Sequence, residues 1–314
     1  MKRRCLLPVV WLSGVLLMIS LAGCGTNYFL LHPLQPVPGI YRETEIFDRG
    51  QLQVYWLARY PDRKETLPAV LVHPDRGSFS EDMEGICLDL AKRGYFAVSA
   101  HYRRLEDLSN ENPLIPWRSA EDVLSAYEHL RRHPRVDPGR IGLLGFSRGG
   151  IVSLQIAAEA PSVKAVVAYY ALADFEEWLD VKRYAFPKSL LFKWVRARVI
   201  KETGEPTEEK AQIRFRETSP INFYRRIEAP VLLIHGEKDR TFPVQQMERL
   251  SQLMRGAGKK CELLVIPKAG HVFNFTDKEK GTLAWEKTLL FLHQYLSPSS
   301  GSSKDQGGLM QRRG

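Results

Sequence analysis

Short apolar segments alternate with longer segments of helical periodicity along most of this chain of 314 residues. Strand and helix signals in this order are typical of an α/β domain, in which helices cover both faces of a mostly parallel sheet. Most of the later apolar segments are rich in β-branched residues, as buried parallel strands are. We therefore predict an eight-stranded sheet with strands at residues 44–48, 53–59, 69–73, 96–101, 141–145, 165–170, 231–235 and 262–266.

Helix signals lie between these strands. Ser78 and Glu81 have the spacing of a capping box, and Gly94 stands where the following helix should end. Periodic apolar positions predict further helices at residues 117–132, 151–160, 244–255 and 282–295. Residues 172–228 break the alternation and are rich in aromatic side chains, so we expect a small helical cap inserted between two strands.

The predicted cap carries aromatic and basic side chains whose role the sequence leaves open. The aromatic residues either line an apolar acyl pocket or belong to the core, which is the commoner use of such spacing. They are Phe175, Trp178, Tyr184, Phe186, Phe192 and Trp194. The basic residues either attract an anionic substrate or lipid headgroups, or form an ordinary solvated helix face. They are Lys182, Arg183, Lys188, Lys193, Arg196 and Arg198.

Ser147 lies at the centre of the motif Gly145-Phe146-Ser147-Arg148-Gly149. The motif directly follows a predicted apolar strand and precedes a predicted helix, which is the setting of a nucleophile elbow. Such a turn exposes the serine hydroxyl, and it needs small residues on either side because neighbouring backbone passes close by. We predict that Ser147 is a catalytic nucleophile and that Gly145 and Gly149 provide the space.

A serine nucleophile needs a base that removes its proton, and the base needs a carboxylate that fixes its tautomer. Asp239 follows the seventh predicted strand and His271 follows the eighth. Both lie on loops after the carboxyl ends of strands, where open α/β sheets place their sites. We predict Asp239 as the acid and His271 as the base. Glu237 is the nearest rival acid, and His235 is expected to end its strand by hydrogen bonding rather than to catalyse.

A tetrahedral oxyanion needs two converging backbone donors. The amide of Arg148, directly after the nucleophile, is the first candidate. The second should come from the loop after the third strand, which reads His-Pro-Asp-Arg-Gly over residues 73–77. Because Pro74 has no amide hydrogen, we predict Asp75 as the second donor, with Arg76 as the fallback.

The first 24 residues have the order of an export signal, with a basic start, an apolar run and the ending Leu-Ala-Gly-Cys at Cys24. This ending resembles the lipobox of bacterial lipoproteins, in which cleavage before the cysteine leaves a thiol that is lipidated. We predict a signal peptide at residues 1–23, a lipid anchor at Cys24 and a proline-containing tether up to residue 42. Gly25, rather than Asp, after the cysteine implies the outer membrane in a Gram-negative cell, with the folded domain in the periplasm or at the cell surface. An uncleaved N-terminal helix is the alternative.

The formal net charge of +9 falls to +4 without the chain ends at residues 1–4 and 304–313. This balance, without clustered basic and aromatic motifs, argues against nucleic acid as a partner.

Residues 298–314 are rich in Ser and Gly and are predicted to be disordered. Cys87 and Cys261 are expected to stay unpaired.

Three segments, residues 135–150, 219–239 and 267–271, resemble the dienelactone hydrolase and prolyl oligopeptidase-like branch of the α/β-hydrolases. The resemblance spans residues 43–296, and we predict an α/β-hydrolase domain at residues 43–297. The resemblance implies that this domain transfers an acyl group from an ester, thioester or amide to water, without a metal or organic cofactor. There are three departures. Serine stands where dienelactone hydrolases have cysteine, no propeller domain precedes the domain, and residues 73–77 replace the glycine-rich oxyanion loop.

The favoured function is a carboxylesterase-like serine hydrolase that acts on a small-molecule or peptide acyl substrate through an acyl-enzyme. A serine exopeptidase is the second hypothesis, although such enzymes usually have an extra domain that grips peptide ends. A noncatalytic surface lipoprotein that kept the fold is the third, because fold does not guarantee function. The oligomeric state is left open.

Overall fold

The structure is a computed structural model that describes residues 36–49, 52–75, 78–104 and 120–297. The predicted signal peptide, Cys24, most of the tether, Arg76 and the predicted disordered tail lie outside the described residues. Within the described part of the chain, no helix combines the length and the apolar character that crossing a membrane requires.

The described chain forms one eight-stranded sheet in the order β1-β2-β4-β3-β5-β6-β7-β8. Neighbouring strands run parallel except that β2 is antiparallel to both β1 and β4. All eight predicted strands are confirmed, and the first begins at Ile40, ahead of the predicted domain boundary at residue 43. The strands are β1 Ile40–Arg49, β2 Leu52–Pro61, β3 Leu67–His73, β4 Phe96–Arg104, β5 Val136–Phe146, β6 Ala165–Tyr169, β7 Val231–Gly236 and β8 Cys261–Ile266.

Helices cover both faces of this sheet. They are α1 Glu84–Lys92, α2 Ala120–Arg132, α3 Arg148–Glu159, α4 Phe175–Trp178, α5 Lys188–Thr203, α6 Glu208–Thr218, α7 Pro220–Phe223, α8 Val244–Gly256, α9 Phe273–Thr276 and α10 Lys278–Leu296. Side chains alternate across a strand, so a central strand such as β3 contributes to two cores, one on each face of the sheet. On β3, Val70 and Val72 belong to the core that includes residues of α1 and α10, whereas Ala69 and Leu71 belong to the core that includes residues of α2, α3 and α8. The predicted α/β-hydrolase layering is therefore confirmed.

The predicted capping box ahead of α1 is wrong. A 3-10 turn at Glu81–Met83 precedes α1, whose first residue is Glu84, so Ser78 and Glu81 do not hold the predicted capping positions. The carboxylate of Asp82 instead accepts the Phe79 N–H at 2.8 Å. The predicted end of the helix is confirmed, since Gly94 has a φ of +94°, a conformation that glycine adopts at little cost.

The segment between β6 and β7 contains α4 to α7, as predicted for the cap. Phe175, Trp178 and Phe192 are buried in the core on the α3 side of the sheet, whereas Phe186 and Trp194 are exposed. Hydrogen bonds connect the start of this segment to α8: Oε1 of Gln246 accepts the backbone N–H groups of residues 173 and 174 at 3.1 and 3.0 Å. Cys87 and Cys261 are both free and buried.

Candidate active site

Ser147 occupies the sharp turn between β5, which ends at Phe146, and α3, which begins at Arg148. Its backbone has φ 51° and ψ −115°, which side chains with a Cβ rarely adopt. The Ser147 N–H donates to the Tyr169 carbonyl on the neighbouring strand at 2.9 Å. The residue therefore has the strained strand-turn-helix geometry that the motif predicts.

Gly145 and Gly149 allow this turn because other backbone crosses both positions. A Cβ at Gly145 would lie 2.0 Å from the Gly149 carbonyl oxygen, and a Cβ at Gly149 would lie 2.1 Å from the His73 carbonyl oxygen. Neither Gly145 nor Gly149 therefore has room for the methyl group of an alanine. The second approach also brings the loop after β3 directly against the start of α3.

The structure brings the three predicted triad residues together at the carboxyl ends of β5, β7 and β8. The Nε2 atom of His271 lies 3.0 Å from the Ser147 hydroxyl oxygen, and its Nδ1 atom lies 2.6 Å from Oδ2 of Asp239. An Nδ1 proton donated to the carboxylate leaves Nε2 as the acceptor for the serine proton. Glu237 is not in this chain of hydrogen bonds, because its carboxylate accepts the Lys268 N–H at 2.7 Å.

The Asp239 carboxylate is held from both sides. Its Oδ1 atom accepts the Thr241 and Phe242 N–H groups at 2.8 and 2.9 Å. Its Oδ2 atom faces Nε2 of His235 at 3.3 Å as well as His271. Burial favours the neutral carboxyl group, but the hydrogen bonds from the two histidines outweigh burial and keep the pKa of Asp239 below its ordinary range. Asp239 is thus a fixed, ionised acceptor.

The imidazole of His271 contacts two aromatic rings, and its centroid lies 4.7 Å from that of Tyr170 and 5.3 Å from that of Phe242. Burial lowers the pKa of His271, but the hydrogen bond and charge of Asp239, with a further contribution from the charge of Asp75, raise it above its ordinary value. A raised pKa means that the site stabilises the imidazolium form. This is the form that a general base acquires when it takes the serine proton.

Backbone strain is concentrated around these residues. Within the described chain, four residues other than glycine have a positive φ: Ser147, Tyr170, Lys268 and Val272. The first two directly follow β5 and β6, and the other two flank His271. Strained backbone of this kind persists where the surrounding structure holds it, and it clusters at functional sites.

The two predicted oxyanion donors lie on adjoining segments. Arg148 is the first residue of α3, whose first N–H groups have no acceptor within the helix itself. Asp75 follows β3 in the loop that passes over Gly149, and its charge acts on both His271 and Tyr170. Beside it, burial and the charge of Arg148 lower the pKa of His73 to about 3, so this histidine is neutral. The fallback donor, Arg76, lies outside the described residues.

Sequence reasoning missed two residues of this site. His235 was expected only to end its strand, and its Nε2 atom does lie 2.9 Å from the Phe242 carbonyl oxygen, yet the same nitrogen also faces Asp239. Tyr170 packs on His271 and donates its hydroxyl hydrogen to Asn274 Oδ1 at 2.7 Å. The rule that selected Asp239 and His271, a position at the carboxyl end of a strand, also applies to Tyr170.

Known proteins resemble this chain over most of its length. Residues 88–299 match the model of the prolyl oligopeptidase family, a range that includes the three triad positions and begins after Asp75. The chain is 27% identical over 256 residues to a Yersinia pestis protein named as a carboxymethylenebutenolidase, covering 78% of this chain and 82% of the relative. It is also 27% identical over 267 residues to a Bradyrhizobium protein named as a 2-oxo-3-(5-oxofuran-2-ylidene)propanoate lactonase, covering 80% of this chain and 93% of the relative.

A crystal structure titled as a dienelactone hydrolase from Klebsiella pneumoniae superposes with a TM-score of 0.59 at 23% identity. The match covers 82% of this chain and 99% of that chain. At this identity the likeness concerns the fold, and it agrees with the sheet order and helix layers described above.

Proposed function

The chain belongs to the prolyl oligopeptidase family, and from this premise we propose that it hydrolyses a carboxylic ester through Ser147, His271 and Asp239. The chain is a serine hydrolase of the α/β-hydrolase type. The observation that carries the proposal is the unbroken line of hydrogen-bonding contacts from the Ser147 hydroxyl through His271 to Asp239, 3.0 and 2.6 Å long. Nucleophile, base and orienting acid then have the geometry that acyl transfer needs.

In the proposed reaction the Ser147 hydroxyl oxygen attacks the substrate carbonyl while Nε2 of His271 takes its proton. The backbone N–H groups of Arg148 and Asp75 stabilise the oxyanion. The His271 imidazolium then protonates the leaving alcohol, and an acyl-enzyme remains on Ser147. A water molecule, deprotonated by His271, then attacks the acyl-enzyme. The bond between the acyl carbon and the Ser147 oxygen breaks, His271 returns the proton to that oxygen, and the acid is released.

The relatives favour an ester over a peptide bond. A lactone is a cyclic ester, and the match to the lactonase relative covers 93% of that protein. A peptidase is the second candidate, supported by the peptidase family model that matches residues 88–299. Both bonds pass through the same acyl-enzyme on Ser147, so the leaving group decides between the two functions.

Purified protein is assayed with p-nitrophenyl esters of increasing acyl length and with aminoacyl p-nitroanilides, each beside the Ser147→Ala variant. Turnover of the esters that is lost in the variant supports the esterase. Turnover of the anilides at a higher kcat/KM than the esters selects the peptidase. A wild-type protein as inactive as Ser147→Ala on all substrates would favour the noncatalytic lipoprotein.

We also propose that cleavage before Cys24 and lipidation of its thiol anchor the exported protein to a bacterial membrane, with the catalytic domain outside the cytoplasm. The support is the order of basic, apolar and small residues before Cys24. Two or more acyl chains bury enough methylene groups for stable anchoring. Cys24→Ala should move the protein from the membrane to another fraction. Unchanged fractionation and an unchanged mass of the N-terminal peptide would contradict lipidation.

A further inference from the structure

The helix α5 of the cap exposes apolar side chains on the face turned away from the domain. Its inner face contributes Phe192, Val199 and Thr203, which are all buried. Leu190 and Trp194, one turn apart on the opposite side, are 55% and 44% exposed, and Phe186 just before the helix is 79% exposed. A solvated helix normally has polar residues on its outer side, so this face needs an explanation.

Basic residues surround this apolar strip. Lys193 and Arg198 lie on either side of Trp194, and Lys201 lies further along the same face. The guanidinium carbon of Arg198 lies 5.6 Å from the centre of the Trp194 ring. Within the described chain, no carboxylate forms an ion pair with Lys193 or Lys201. Five residues of α5 are basic and one, Glu202, is acidic.

We propose that this outer face, formed by Phe186, Leu190, Trp194, Lys193, Arg198 and Lys201, docks on an anionic lipid bilayer. Aromatic side chains flanked by lysine and arginine are the arrangement that settles at a membrane interface. The rings enter the headgroup region while the cations meet the anionic lipids. Each lysine close to such a surface contributes about 1 kcal/mol, or about fivefold in the docking equilibrium.

The positive charge of this outer face favours an anionic bilayer over a second copy of the chain as its partner. A twofold contact through this face would bring Lys193 and Lys201 of one copy against the same lysines of the other, which repel each other. The position of the domain agrees with this choice. If Cys24 is the anchor, Pro36, where the described chain begins, is only 12 positions further along the chain. That length spans at most about 40 Å, so the domain stays within reach of the membrane. Docking itself does not depend on the proposed hydrolase activity.

The test uses the full-length chain reconstituted into phosphatidylcholine vesicles, with and without phosphatidylglycerol, whose acyl chains are brominated at a known depth. Bromine quenches tryptophans that enter the bilayer, and comparison with Trp194→Phe isolates the contribution of Trp194. We expect quenching in the wild-type protein that rises with phosphatidylglycerol and falls at high salt, and we expect Trp194→Phe to retain only the salt-independent quenching that other tryptophans, such as Trp11, contribute. Thermal unfolding followed by circular dichroism establishes that the variant is folded.

A charge variant provides the second measurement. Lys193→Glu combined with Lys201→Glu should weaken docking by at least about 25-fold, because each lost lysine contributes about fivefold and the new negative charges also repel the lipids. Lys64→Glu with Lys278→Glu, which reverses two lysines outside α5, is the matched control and should leave the quenching unchanged. Quenching that is equal in wild type and Trp194→Phe overturns the proposal. So does a Trp194 that is shielded from aqueous quenchers in vesicles without anionic lipid, since that result indicates a protein partner or a second copy.

Discussion

The Nδ1 atom of His271 lies 2.6 Å from Oδ2 of Asp239, and the two residues are 32 positions apart in the sequence. The Asp239 side chain is fully buried, whereas 15% of the His271 side chain is exposed. The carboxylate therefore orients the imidazole from inside the protein while the other ring nitrogen stays available to Ser147. This contact joins the loops after β7 and β8.

Asp239→Asn should lower kcat by about a thousandfold or more while KM changes little. An amide NH₂ group cannot accept the Nδ1 proton in place of the carboxylate oxygen, so the imidazole loses the tautomer that accepts the serine proton. Glu237→Gln is the matched control, because Glu237 contacts the Lys268 N–H instead of His271. Steady-state kinetics on the best ester measures both variants. Equal losses in the two variants would exclude Asp239 as the specific acid.

The pH dependence of kcat/KM should follow the protonation of His271, the proposed general base. Only neutral His271 accepts the serine proton, so activity falls as the pH drops through the raised pKa of His271. Asp75→Asn removes a negative charge that stabilises the imidazolium, and its backbone N–H is retained. The pKa of His271 should therefore fall, and the acidic limb of the profile should move to lower pH. Asp62→Asn, which changes an exposed carboxylate, should leave the limb in place. A limb that moves to higher pH in Asp75→Asn contradicts this account.

Gly149→Ala tests the crossing of the oxyanion loop over α3. The added methyl group would meet the carbonyl oxygens of His73 and Pro74 at 2.1 and 2.6 Å, so the backbone must move. We expect the free energy of unfolding to fall by at least about 2 kcal/mol and the activity of the folded fraction to be lost. Gly256→Ala, where nothing lies within 4 Å of the added methyl group, should keep activity and change stability by about 1 kcal/mol at most. Denaturant unfolding measures the stability of both variants. Similar losses of stability would contradict the close approach of the loop after β3 to Gly149.

His73 should make the protein sensitive to acid. Its pKa is about 3 in the folded protein, against about 6.5 for an ordinary histidine. Between these values the unfolded chain binds a proton that the folded chain does not, so stability falls as the pH drops through this window. The loss is at most about 1.4 kcal/mol per pH unit. Denaturant unfolding from pH 4 to 7 should show a shallower dependence in His73→Asn than in wild type. His293→Asn, which removes an exposed histidine, is the control, and parallel curves for His73→Asn and wild type would refute the prediction.

Much of the site could be predicted because it depends on the order of elements. Apolar composition locates the parallel strands, and the loops after their carboxyl ends must meet at one edge of the sheet, which brings Ser147, Asp239 and His271 together. The local signal failed at α1, where Ser80 turns its hydroxyl to the Tyr55 carbonyl and to His101 and the helix begins later. The two sides of α5 could not be separated, because Phe192 and Trp194 have the same apolar signature until the fold decides which one is buried. The contact of His235 with Asp239 likewise depends on the path of one loop.

Labelling with a fluorophosphonate probe tests the central claim most directly, because the probe forms a covalent bond only with an activated serine. The full-length protein is incubated with the probe, and the modified peptide is identified by mass spectrometry, beside Ser147→Ala and His271→Asn. We expect one adduct on Ser147 in the wild-type protein, no adduct in Ser147→Ala and at least a hundredfold slower labelling in His271→Asn. A folded wild-type protein that is not labelled, or is labelled at another serine with equal efficiency in Ser147→Ala, would contradict the account.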